Sequence, residues 1–388
     1  VGFSKARLAR MHDVMTGYVA RGAMPGLVTL VSRQGETQIE AFGTQAVGGA
    51  EPMRRGTIFR IASMTKPITA VASLILVEEC LLRLDDPVDG LLPELADRRV
   101  LARVDGPLDE TVPANRPITL RDLLTFRFGL GYVPGEPPVF QAMAEAGLAP
   151  GPNNPDLSVD EWMRRLGDLP LAYQPGEQWL YHTGSDVLGV LIERATGRPF
   201  ADFLRERIFE PLGMRDTGFH VPADQLHRLA PSYQAGPSGE LELRDDPRDS
   251  APKFPSGGGG LVSTVDDYLR FYRMLLAKGT SGQERILSRP AVELMVADQL
   301  TAQQKIHAQP ILGADAGWGF GLAVVVRRVD LTTTPGQFGW AGGLGTTAFA
   351  DPAEDLIGIM LTQRAMDSAT PPAHFADFRT TTYQALDD

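Results

Sequence analysis

The chain of 388 residues has one cysteine, and only five lysines beside thirty-two arginines. A single cysteine, Cys80, excludes an intrachain disulfide. It closes an apolar helical pattern, and free cysteine usually packs as a small hydrophobe, so a buried core position is expected. No apolar run reaches the ~18 residues that suggest a membrane span. The longest, Ile68 to Leu82, is broken by Glu78 and Glu79. No signal peptide opens the chain, because "SKARLARMHDVMTGYVARG" reads as an amphipathic helix, so a cytoplasmic location is expected. Positive charge is not in excess either. A net charge of −11 and a pI near 5.1 argue against nucleic acid or anionic membrane as partners. The histidines His12, His182, His220, His227, His307 and His374 form no pair at metal-ligand spacing, so no metal or other cofactor is expected. His182, beside Tyr181, is read as a polar loop residue. There is no Gly-x-Ser-x-Gly elbow and no His-Gly-Gly-Gly stretch, which argues against an α/β-hydrolase. The glycines at 257–260 do not follow a strand and have no lysine after them, so they do not suggest phosphate binding.

What is present has a clear order. A first helix, near Ser4 to Arg21, precedes two short strand patterns, "GLVTLVSRQG" and "ETQIEAFG". From about Leu81 to Phe254 helical periods alternate with loops rich in proline and glycine. The longest weakly structured piece is "YVPGEPPVFQAMAEAGLAPGPNNPDLS", a length typical of lids. Strand signals return in "GWGFGLAVVVRR", "GTTAFADP" and "DLIGIMLTQ", and a helix closes the chain. The pattern predicts an α/β domain from residues 1–80 and 255–388, with a helical domain, 81–254, inserted; the groove between them is where a site is expected.

The scarce lysine matters most in "FRIASMTKPITAVASLILVEE", where Ser63 stands three residues before Lys66 at the mouth of an apolar helix. Residues i and i+3 share a helix face, so the two side chains should touch. Pro67 fits a first turn. Free amides at the helix start can hold an oxyanion. Arginine would give a fixed charge; lysine can lose its proton. Half-neutral lysine at pH 7.4 needs a pKa about 3 units below its free value, roughly 4 kcal/mol, which burial can supply. A tyrosine base faces almost the same cost, so the base is left open between Lys66 and Tyr181. A second Ser-x-x-Lys, Ser250 to Lys253, has Pro252 inside it and is read as chance.

Three further stretches follow in order: "QPGEQWLYHTGSDVLG", with Tyr181 just before a helix; "FPSGGGGLVSTVDDYLRF", read as a flexible glycine wall; and "GQFGWAGGLGTTAFADP". With "FEPLGMRDTGF" and the Ser63 stretch they resemble the serine β-lactamase and penicillin-binding-protein superfamily, and within it class C β-lactamases and family VIII carboxylesterases. The resemblance runs from about Ser4 to Leu386. It implies an antiparallel sheet flanked by helices, Ser63 as acylated nucleophile, and Lys66 as the lysine that helps deprotonate it. Tyr181 would relay a proton to the leaving group, and the backbone amides of Ser63 and Gly343 would form the oxyanion hole.

Two positions depart from the β-lactamase pattern. Thr183 stands in place of the asparagine of Tyr-x-Asn, and Trp340-Ala341-Gly342 in place of Lys-Thr-Gly. An indole instead of a cation favours neutral, partly apolar acyl substrates, so the resemblance points to short-chain carboxylic esters. Trp340, Gly342, Tyr132 and Val133 are the expected substrate contacts. The alternatives are β-lactamase, D-aminopeptidase or DD-peptidase activity, acyl transfer, and a non-catalytic scaffold.

Overall fold

The computed structural model describes residues 2–387. A helix, α1 (Lys5–Ala20), leads into strands β1 (Gly26–Arg33) and β2 (Glu36–Gly43). Much later the chain adds β3 (Ala316–Trp318), β4 (Ala323–Val325), β5 (Phe338–Gly342), β6 (Thr346–Asp351) and β7 (Leu356–Thr362). These form one seven-stranded antiparallel sheet in the order β3-β4-β5-β6-β7-β1-β2, with Thr29 opposite Met360 and Trp340 opposite Ala348.

The central strands read as unbroken apolar runs because both faces are covered. In β1, Leu27 and Val31 face the layer built on Met11, Met15 and Phe378, while Val28 and Leu30 face the main core. β7 divides in the same way, Met360 to one side and Ile357, Ile359 and Leu361 to the other. A period of two therefore sorts residues between two cores rather than between core and water. The edge strand β2 carries two charged residues, Glu36 and Glu40, on either side of exposed Gln38, and charge on an edge discourages pairing with another chain.

Between the two sets of strands lies the mainly helical stretch. It also holds two short hairpins, Arg99–Leu101 with Thr111–Pro113 and Tyr233–Ala235 with Leu241–Leu243. The expected lid is not structureless, since Pro138–Glu145 within it is helical and buries Val139 and Met143. Val133 is fully packed in the main core. Cys80 is exposed, contrary to expectation. The buried run of the second helix ends at Leu76, and the chain then leaves it through a left-handed residue, φ +60° at Cys80. Among the described residues no helix is long and apolar enough to cross a membrane.

Candidate active site

The chain reaches Ser63 through a forced turn. Phe59–Arg60 pairs with Val262–Ser263, and buried Ala62 then takes φ +44°, a region alanine rarely adopts. A single 3₁₀ turn, Ala62–Met64, leads into α2 (Thr65–Glu78). Distant groups hold this turn. Ile61 N–H donates to Leu261 O (3.0 Å), Leu261 N–H to Thr65 Oγ1 (3.1 Å) and Tyr268 Oη–H to Met64 O (2.7 Å). Gly342 lies against it so closely that a Cβ would sit 2.3 Å from Ile61 O. Strained backbone of this kind persists only where its surroundings over-determine it, and it concentrates at functional sites.

Ser63 and Lys66 meet as the spacing predicts, with Lys66 Nζ 2.9 Å from Ser63 Oγ. Nζ also lies 2.6 Å from Gly258 O, 3.1 Å from His182 Nδ1 and 4.5 Å from the centre of the Tyr181 ring. Lys66 is completely buried (0% exposed). Burial pushes its ammonium down to about 7, against a smaller opposing pull from Asp186. Burial drives the Tyr181 phenol the other way, far above its usual value, and hydrogen bonding with Ser63 and Trp340 offsets only part of that. Near neutral pH Tyr181 is thus an un-ionised phenol, while Lys66 is poised to give up a proton.

Tyr181 precedes α3 (Thr183–Thr196), and Tyr132 N–H donates to its carbonyl (2.9 Å). Trp340, half-buried on β5, donates its indole N–H to Tyr181 Oη at 2.6 Å and packs edge-on against Trp318. Phe126, Trp179 and Trp318 complete an aromatic wall around the phenol. A cavity of about 350 Å³ opens onto Ser63. Tyr132, Tyr181, His182, Trp340 and Gly343 line it, with Pro150–Pro152 of the expected lid and Ile311 and Met366 from the far side. A Cβ on Gly343 would meet nothing within 4 Å. Gly342 and Val133 do not line the cavity; the first packs under the serine turn and the second in the core. Lys253, of the second Ser-x-x-Lys, is on the surface, paired with Asp156 at 2.7 Å.

Two parts of the site differ from the sequence reading. Glycines 257–260 are buried and closely packed rather than flexible. His182 is no loop ornament: it is 4% exposed and bonded to Lys66, and its Nε2 lies 3.1 Å from Asp186 Oδ2. The usable signal was Asp186 four residues after His182, on the first turn of a helix. Thr183, which the resemblance sets at the place of the β-lactamase asparagine, is buried with Oγ1 unpaired.

A seven-stranded antiparallel sheet, helices on both faces, and a serine–lysine pair where the helical stretch meets it are the features of a β-lactamase-fold hydrolase. The chain belongs to the Beta-lactamase family, whose profile matches residues 11–377. It is 41% identical over 367 residues to Protein Rv1367c of Mycobacterium tuberculosis, covering 91% of this chain and 89% of that one. It is 33% identical over 396 residues to Esterase EstB of Burkholderia gladioli, covering 95% and 93%. The solved structure of EstCE1, described as a hydrolase with promiscuous acyltransferase activity, superposes with a TM-score of 0.83 at 27% identity, covering 98% of this chain and 99% of that one.

Proposed function

We propose that this protein is a serine carboxylesterase of the family VIII type, cleaving short-chain carboxylic esters through an acyl-enzyme on Ser63. The observation that carries the reading is the buried Lys66 amine, its pKa lowered to about 7, at 2.9 Å from Ser63 Oγ. Lys66 takes the Ser63 proton as Oγ attacks the ester carbonyl. The backbone amides of Ser63 and Gly343, both bordering the cavity, take the developing oxyanion. Tyr181, un-ionised and within reach of Ser63, relays a proton to the departing alkoxide and takes in its place the one that Lys66 removed, so that both groups are neutral again before water attacks. Water then releases the acyl group by the same steps in reverse roles. Similarity to Esterase EstB supports the choice of ester over lactam, as does an indole where a β-lactamase has lysine. The test is incubation with nitrophenyl acetate and butyrate: turnover with an acyl mass increment on the peptide holding Ser63. A folded protein that neither turns over nor becomes acylated would favour the scaffold reading.

The pH dependence follows from Lys66. The base must be neutral, and its ammonium titrates near 7. Acylation should therefore plateau above that value and fall about tenfold per pH unit below it. Burial and the neighbouring Lys66 hold His182 below its ordinary imidazole value, which favours the neutral ring. Asp186 stays ionised: burial raises its carboxyl, but His182, Ser256 and the Gly258 amide outweigh that. The check is kcat/KM from pH 5 to 9; a profile flat down to pH 5 removes Lys66 as the base.

Trp340 should set the ester preference. It lines the cavity and also holds the Tyr181 hydroxyl. Trp340→Lys offers a β-lactam carboxylate a charge-assisted hydrogen bond worth roughly 1.5–3 kcal/mol. The ratio of lactam to ester kcat/KM should rise by about 10- to 100-fold if the new ammonium reaches the carboxylate. Absolute ester turnover should fall, because Tyr181 loses a partner. Both substrates measured on both proteins at one pH decide it. A purely structural Trp340 lowers both rates and leaves the ratio unchanged.

A further inference from the structure

We infer that His182, held by Asp186, is the positioning residue that aims the Lys66 lone pair at Ser63, so that the base works in a four-member chain Asp186–His182–Lys66–Ser63. This rests on the reading of Lys66 as acylation base.

Hydrogen-bond counting at Lys66 Nζ supports the chain. A neutral amine has two hydrogens and one lone pair. Three groups surround Nζ: Gly258 O at 2.6 Å, His182 Nδ1 at 3.1 Å and Ser63 Oγ at 2.9 Å. Gly258 O can only accept. His182 Nδ1 accepts if the ring proton is on Nε2. The Asp186 carboxylate, 3.1 Å from Nε2, requires that tautomer, because a carboxylate only accepts. Both amine hydrogens are then committed, and the lone pair is left for the Ser63 hydroxyl. As Ser63 Oγ–H breaks, the new N–H bond forms on Lys66 while Oγ bonds to the carbonyl carbon. The resulting ammonium still has an acceptor in His182 Nδ1.

The surroundings are built for this. Asp186 Oδ1 accepts from Ser256 Oγ–H (2.6 Å) and Gly258 N–H (3.0 Å), so the carboxylate is fixed. A Cβ on Gly258 would come within 3.0 Å of His182 Nε2, which explains a glycine there. His182 itself has φ +88° and ψ −65°, the strained three-residue turn, and the Thr183 N–H lies 3.3 Å from Tyr181 O across it. Such a conformation is rare for a residue with a side chain. Here it turns the imidazole inward from the first position of the helix. The titratable groups that face the ring are Lys66 from α2, Asp186 from α3 and Tyr181 beside it; the 257–258 segment adds backbone only.

The test compares wild type, His182→Leu and His182→Asn over pH 5 to 9, following release of nitrophenol and labelling of Ser63 by a phosphonate ester. His182→Leu should lower kcat/KM by about 10- to 100-fold, the low end of what a disturbed general base costs. It should also move the acidic limb down by about one pH unit, because removing an acceptor disfavours the ammonium. The asparagine Oδ1 can stand in for Nδ1, so His182→Asn should keep the wild-type limb and stay within about tenfold of its rate. ¹⁵N spectra of histidine-labelled wild type, with His182 assigned by its absence in the variant, should show the Nε2–H tautomer. An Nδ1–H tautomer overturns the proposal even if His182→Leu does not fold. A rate loss in His182→Leu with an unmoved limb reduces His182 to packing and overturns it too. If the wild type is not labelled at Ser63, the serine–lysine reading itself fails and takes this one with it; a labelled wild type with an insensitive His182 fails this proposal alone.

Discussion

Ser63→Ala is expected to abolish labelling by a phosphonate ester and to lower ester turnover by about 10⁴- to 10⁶-fold, the usual cost of removing a nucleophile. The variant should fold. Ser63 is small and buried, and an alanine fits the same 3₁₀ turn. Lys66 would lose one partner and keep Gly258 O and His182 Nδ1. The other hydroxyls on the cavity do not substitute. Tyr132, Tyr181 and Ser368 are not among the groups hydrogen-bonded to Lys66 Nζ, which are Ser63, His182 and Gly258, and Tyr181 is an un-ionised phenol whose pKa burial has raised. A Ser63→Ala protein with a wild-type melting curve and more than a tenth of wild-type activity would end the acyl-serine mechanism.

Lys66→Arg should be nearly as damaging as Lys66→Ala, each costing about 10²–10⁴ in kcat/KM. Arginine cannot be deprotonated in a protein. Its guanidinium is also larger than a site that leaves Lys66 no exposure and sets a carbonyl 2.6 Å from Nζ. Bulk and lost basicity can be told apart by chemical rescue. A small primary amine added to Lys66→Ala should restore part of the rate, more so above the amine's own pKa, whereas guanidinium should not. Near-normal kcat in Lys66→Arg would mean that position 66 needs only positive charge, and would move the base to Tyr181.

Local order explains most of what the sequence made readable. The 3.6-residue period placed the helix after Ser63, now Thr65–Glu78, and the last helix, now Ala373–Gln384. The strands of the second half fell within the stretches that carried strand signals, Thr346–Asp351 in "GTTAFADP" and Leu356–Thr362 in "DLIGIMLTQ". Misreadings came where burial overrides pattern. Cys80 continues an apolar sequence yet sits outside, because the helix surface it follows has already passed into solvent. Val133 was expected at the substrate and Tyr132 beside it; neighbours in an extended chain point opposite ways, and only Tyr132 lines the cavity. His182 was passed over because the one local signal, Asp186 a helical turn further on, says nothing of Lys66. Its partner Lys66 is 116 residues away, and its inward aim depends on a backbone angle no composition foretells.

Sequence by itself pointed to contact between Ser63 and Lys66, because residues three apart share a face both in the 3₁₀ turn that holds Ser63 and in the helix that follows it. Its resemblance to β-lactamases also set Trp340 at the place of a cation. Tertiary structure decided what those residues can do. Lys66 titrates near 7 because segments around 181–186 and 256–260 close over it and remove water. Trp340 holds the Tyr181 hydroxyl because strand β5 lies across from a loop 159 residues earlier. Desolvation and hydrogen-bond geometry depend on what surrounds a group in space, and that is set by packing between segments far apart in the chain.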